Sequence, residues 1–154
     1  MADEGYKKLE IWKMGHDLAV RVHAMSLNTL PKLEMFEEGS QIRRSSKRVP
    51  ANIVEGYAQR KYRDLYLTYL YRSLGSSDET IEHLELLSDT GSLSDEKTFC
   101  ELRASYQILS RKIGRFIIGV EQSHSLPSYL SKIKNQKSKI ASETEQALEE
   151  PEAP

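Results

Sequence analysis

The chain has 154 residues, with 22 basic and 23 acidic side chains for a formal net charge of −1, and 38% of its residues are hydrophobic. That length predicts one domain able to bury a core without staples. Cys100 is the only cysteine, which leaves no intrachain disulfide and suits a reducing cytoplasm. The opening MADEGYKK has no apolar core and does not read as a signal peptide, and the longest apolar run, Phe116 to Ile118, is far too short to span a bilayer. Membrane insertion is not expected.

Residues 1–5 read as frayed. From Leu9 onward, Ile11, Gly15, Leu18, Val22 and Met25 recur at helical spacing, with Trp12 and Ala19 widening the stripe. This predicts a first helix over about residues 7–29, closed by Pro31. Gly15 inside it costs about 1 kcal/mol relative to Ala, unless a neighbouring helix approaches closely there. Residues 31–39 read as a loop or a short extra turn, with Gly39 and Ser40 offering an N-cap for the second helix.

Ser40 to Asp64 is the most distinctive stretch. It carries Arg43, Arg44, Lys47, Arg48, Arg60, Lys61 and Arg63 against a single carboxylate, Glu55, before its last residue. Projected at about 100° per residue, Ile42, Ser45, Ser46, Val49, Ile53 and Gly56 share one face. Arg43, Arg44, Lys47, Arg48, Ala51 and Glu55 fall on the other. Pro50 interrupts this helix and removes a backbone donor. The apolar phase survives from Val49 to Ile53, which predicts a kink rather than an end, with the helix stopping near Gly56 to Gln59.

A third helix is expected from around Arg60 to Asp64 as far as about Ser88. One stripe on it runs through Tyr62, Tyr66, Tyr69, Ser73, Ser77, Thr80, Leu84 and Leu87, and Leu67, Leu74 and Ile81 mark a neighbouring stripe. Two stripes exceed what one core needs and predict burial against a second subunit. Gly75, Ser76 and Ser77 supply small residues for a close crossing. Gly91 is the stop signal, and Ser94 is the expected next N-cap. Phe99, Leu102, Tyr106, Leu109, Ile113, Phe116 and Val120 then form a bundle seam on a fourth helix over about 94–122. The pattern predicts an all-α, antiparallel up-and-down four-helix bundle over residues 1–123. Residues 124–154, basic and then rich in glutamate, read as a disordered tail.

The run SQIRR at Ser40 to Arg44, followed by PANIVEG at Pro50 to Gly56, resembles the signature of the 23S ribosomal RNA intervening-sequence family. LEIWK at Leu9 to Lys13 and LGS at Leu74 to Ser76 also fit, so the resemblance spans roughly residues 6–122. The accessory variability proteins of diversity-generating retroelements look similar. The resemblance implies a ring-like homo-oligomer, a pentamer, associated with nucleic acid. On the retroelement side it implies a reverse transcriptase as protein partner.

The candidate site is the basic set Arg43, Arg44, Lys47, Arg48, Arg60, Lys61 and Arg63. Adjacent cations on one helix face suit backbone phosphates of RNA or DNA without regard to sequence. No aromatic is interleaved among Arg43 to Arg48, so base stacking is not expected there; Tyr71 is the best stacking candidate. The competing reading is a protein-interaction scaffold whose basic face meets an acidic surface, which the near-neutral net charge favours. Glu55 is expected to pair with Arg44 or Arg48 or to cap a neighbouring helix, and Asn52 to hold backbone groups loosened by Pro50. Cys100 is expected to be a buried thiol. No metal-ligand spacing, cofactor motif or catalytic set is present, so no cofactor and no enzymatic activity are expected.

Overall fold

The computed structural model describes residues 4–123. A short 3-10 turn at Gly5–Lys8 leads into four helices: α1 Glu10–Asn28, α2 Glu38–Ala58, α3 Arg63–Asp89 and α4 Glu96–Ser123. No strand occurs among the described residues. The chain divides at Glu121 into two units, Met1–Glu121 and Gln122–Pro154, of which the first is the bundle. The tail expected from residue 124 lies outside the described residues.

Side-chain pairs fix the helix order. Ser26 near the end of α1 meets Arg43 near the start of α2, while Gly15 faces Val49 and Pro50. Ser45 of α2 meets Thr80 of α3 at 2.8 Å, and Ser73 donates to the Val49 carbonyl at 2.9 Å. Between α3 and α4, Glu85 accepts from Arg103 at 2.7 Å and Tyr71 donates to Glu121 at 3.1 Å. Lys112 of α4 returns to Glu10 of α1, and Arg21 lies 3.7 Å from Glu101. Early residues pair with late ones at every step, so the topology is up-down-up-down, as the seam spacings predict.

The core gathers one stripe from each helix. Val22, Ile42, Val49, Ile53, Leu70, Leu84, Leu87, Tyr106, Leu109 and Ile113 are fully enclosed, each aliphatic side chain contributing about 1.5–3 kcal/mol by burial. At Gly15 α1 lies close against α2: a β-carbon there would sit 3.2 Å from Val49 Cγ1 and 3.8 Å from Pro50 Cδ. That approach accounts for a glycine inside α1. Helix α2 passes through Pro50 and continues to Ala58.

Two expectations about element ends are corrected and a third holds. Gly39 and Ser40 lie inside α2, which begins at Glu38 because the Glu34 carboxylate accepts the Glu38 amide at 3.0 Å. Helix α4 is capped by Asp95 rather than Ser94; its two oxygens take the Thr98 amide at 3.2 Å and the Thr98 hydroxyl at 2.6 Å. Those bonds hold the Asp95 carboxyl below its ordinary value. Gly91 does end α3, with φ of +77°, and Leu93 donates back to the Leu87 carbonyl at 2.8 Å.

The second stripe of α3 is also corrected. Leu67 is buried, and Leu74 and Ile81 pack against the same core. A helix in a four-helix square touches two neighbours, so α2 and α4 together cover a wider arc of α3 than one seam needs. Within α3, Ser76 and Ser77 are buried, whereas Gly75 is exposed and a β-carbon there would meet nothing within 4 Å.

Candidate nucleic-acid interface

The seven cations fall into two groups. Arg44, Lys47 and Arg48 stand exposed on the outer face of α2. Their spacings of three and four put them on adjacent turns within about 6 Å of axial rise. None of the three makes an ion pair or hydrogen bond with another described residue, and Glu55, about two turns beyond Arg48, is exposed and pairs with none of them. The expected Glu55 pairing with Arg44 or Arg48 is therefore absent among the described residues.

Arg43 differs from its neighbours. Its guanidinium points toward α1, donating to Ser26 Oγ at 3.1 Å and to the Met35 carbonyl at 2.7 Å, and the residue is half-buried. It ties the α1–α2 loop to both helices. The sequence holds a faint signal for this: at about 100° per residue Arg43 stands at the edge of the Ile42–Val49 stripe, whereas Arg44 is nearly opposite it.

The second group lies past the end of α2, with Arg60 and Lys61 in the turn to α3 and Arg63 at the first residue of α3. Arg60 lies over the Tyr57 ring at 4.0 Å and donates to the Tyr57 carbonyl at 2.9 Å. The Lys61 ammonium is 6.0 Å from the Tyr62 ring, and Arg63 pairs with Asp64 at 3.2 Å. These three are exposed and cationic, but each already has a local contact.

The structure also places aromatic side chains beside the α2 cations, although the local sequence has none. Between α1 and α2 lies an open groove of about 500 Å³, with Trp12, His16 and Val20 on one wall and Lys47, Ala51 and Val54 on the other. Trp12 stacks on His16 with ring centroids 4.9 Å apart and planes at 27°. Tyr6 meets Trp12 edge-on at 5.2 Å and Tyr57 at 6.3 Å. The only local signal was the i, i+4 spacing of Trp12 and His16. Their position beside Lys47 is a product of helix packing.

Three further expectations are placed by the structure. Tyr71 is exposed, but its hydroxyl is held by Glu121, which raises its pKa. Asn52 is buried and its Nδ2 has no hydrogen-bond partner, so it does not hold the backbone around Pro50. Cys100 is exposed, contrary to expectation; it sits one position beyond Phe99, on the outward side of the α4 seam. No group of metal-ligating side chains gathers among the described residues. No helix among them is long and apolar enough to cross a membrane.

The family model described as 23S rRNA-intervening sequence protein matches residues 7–115. The chain belongs to the 23S rRNA-intervening sequence protein family. Its fold is similar to a crystal structure of a protein of unknown function from the S23 ribosomal protein family of Bacteroides thetaiotaomicron. That match has a TM-score of 0.61 and 23% identity, over 70% of this chain and 94% of that one. At this identity the likeness speaks for the fold alone. No curated protein matches the chain. The matched region takes in the whole of α2 and all seven cations.

Proposed function

We propose that this family member is a non-enzymatic helical protein that binds nucleic acid through the outer face of α2 and acts as a homo-oligomer in the cytoplasm. The observation that carries the reading is the trio Arg44, Lys47 and Arg48, exposed together with no acidic partner among the described residues. Like charges at i, i+4 cost a few tenths of a kcal/mol, roughly, per pair, and an anion lying across them removes that cost. Phosphates bound this way release counterions, so affinity falls steeply with salt and is indifferent to sequence. The Arg60 to Arg63 group adds further exposed cations at the α2–α3 turn. The role involves no covalent step and no cofactor.

A pentameric ring would repeat the patch, and several weak phosphate contacts would add through multivalency. The retroelement resemblance supports a reverse transcriptase as a further protein partner. A second reading, a protein-interaction scaffold, is favoured by the net charge of −1, since many nucleic-acid binders are strongly basic.

Binding of a generic duplex and a structured RNA across a salt series, with oligomeric mass measured in parallel, tests the proposal. Binding should be strong at low salt and fall sharply towards physiological salt. Arg44→Glu with Lys47→Glu should abolish it while leaving mass and fold intact. A wild type that binds nothing at low salt hands the function to the scaffold reading.

A further inference from the structure

We infer that the α1–α2 groove receives unpaired bases of a single-stranded nucleic acid whose phosphates lie on Arg44, Lys47 and Arg48. This rests on the basic-face reading above and specifies which form of nucleic acid the surface selects. Lys47 belongs both to the cationic stripe and to the groove wall, so the two surfaces are continuous. A strand whose backbone follows the stripe therefore has its bases beside the groove.

The groove chemistry suits a base. Beyond Lys47 at its rim, the α2 side is apolar, built from Pro50, Ala51 and Val54, and the Trp12–His16 stack on the α1 wall offers an aromatic surface. Base-on-aromatic stacking is indifferent to sequence because every base has a π-face. A paired base has both faces covered by its neighbours and its edge engaged, so a duplex reaches the phosphate contacts but not the groove. A free polyphosphate has the charge and lacks the rings. The surface should thus rank single strands above duplex and polyphosphate, although all three match its charge.

The chain contains one tryptophan, Trp12, so its emission reports on the groove directly. The full-length protein is titrated at low salt with oligo(dT), oligo(rU), a blunt duplex of matched length and inorganic polyphosphate, with bound fraction followed by competition against a labelled oligonucleotide. Both single strands should change Trp12 emission on binding; duplex and polyphosphate should bind without changing it. Ala51→Leu fills the groove from an exposed helical position and leaves the charge unaltered. It should weaken single-strand binding about tenfold, the loss of one stacked base, and leave polyphosphate affinity unchanged. Single strands that bind with unaltered Trp12 emission, or an Ala51→Leu protein with undiminished single-strand affinity, overturn the inference and leave the basic face standing. A fall in oligomeric mass on Ala51→Leu also overturns it, since the groove would then be a contact between subunits. If no polyanion binds at low salt, the basic-face reading itself fails.

Discussion

Gly39 sits against the carbonyl of Glu34: its amide donates to that oxygen at 2.9 Å, and a β-carbon at position 39 would lie 2.8 Å from it. The chain turns into α2 on this contact, with Leu30 and the Arg43 guanidinium closing the other sides. Alanine is the better helix former by about 1 kcal/mol, yet here the obstacle is backbone and cannot rotate away. Gly39→Ala should destabilise the protein by about 1–3 kcal/mol, as overpacking does. Gly75→Ala, in the open, should stabilise it by up to about 1 kcal/mol. Urea unfolding of the two variants gives both signs.

Arg43 and Arg44 are neighbours in sequence with opposite expected phenotypes. Arg43→Ala leaves the Met35 carbonyl and the Ser26 hydroxyl without their donor, and hydrogen bonds to a charged group contribute about 1.5–3 kcal/mol. Its unfolding midpoint should drop clearly, and Arg43→Lys should restore little, because one ammonium does not reproduce the planar fork. Arg44→Ala should leave stability within about 0.5 kcal/mol of wild type, as exposed surface changes do.

Tyr106 is fully enclosed and its hydroxyl has no hydrogen-bond partner. Burial pushes its pKa well above the ordinary 10.0; Ser46 opposes the rise, but the two hydroxyls do not reach hydrogen-bond geometry. Tyr106→Phe removes an unpaired polar group and should be neutral or stabilising at pH 7. A tyrosine pKa raised in the folded state means the native protein holds its proton longer than the unfolded chain. Stability is therefore complete below about pH 10, the unfolded value, and declines above it. Denaturant melts from pH 8 to 11 should show that decline in the wild type and a shallower one in Tyr106→Phe. Tyr66, raised by its own burial, accounts for part of what remains.

Asp95 carries the corresponding acid-side signature. Its carboxyl is lowered by the Thr98 bonds, so its contribution is present above the unfolded value and lost as pH falls through the lower folded one. Asp95→Ala should lower the melting temperature at neutral pH and flatten the dependence below pH 4. Asp95→Asn, still a capping residue, should keep most of the stability and lose the acid slope.

The helices were legible because each is amphipathic by itself: the α4 spacing from Leu102 to Val120 and the α2 face from Ile42 to Gly56 both appear as buried stripes. The basic stripe was legible for the same reason. Features set by approach between helices were not. Arg43 turned inward because the loop after α1 brings the Met35 carbonyl over it. Leu67, Leu74 and Ile81 found cover within the chain because α4 folds back along α3. The cap moved from Ser94 to Asp95 because Thr98 answers a carboxylate three residues upstream. The aromatic groove beside Lys47 joins residues thirty or more positions apart, beyond the reach of periodicity.

The α2–α3 contact carries hydroxyls where many bundles place leucines: Ser45, Ser73 and Thr80 are all buried there. Leucine seams tolerate sliding, since one methyl group replaces another with little loss. Here Ser45 must find Thr80, and Ser73 must find the Val49 carbonyl. A slip of one turn would strand these groups in a dry interior at about 1–3 kcal/mol each. The two helices are thereby keyed to a single alignment, like teeth on a rack. Two hydrogen bonds thus select one register between α2 and α3 where apolar packing alone would allow several.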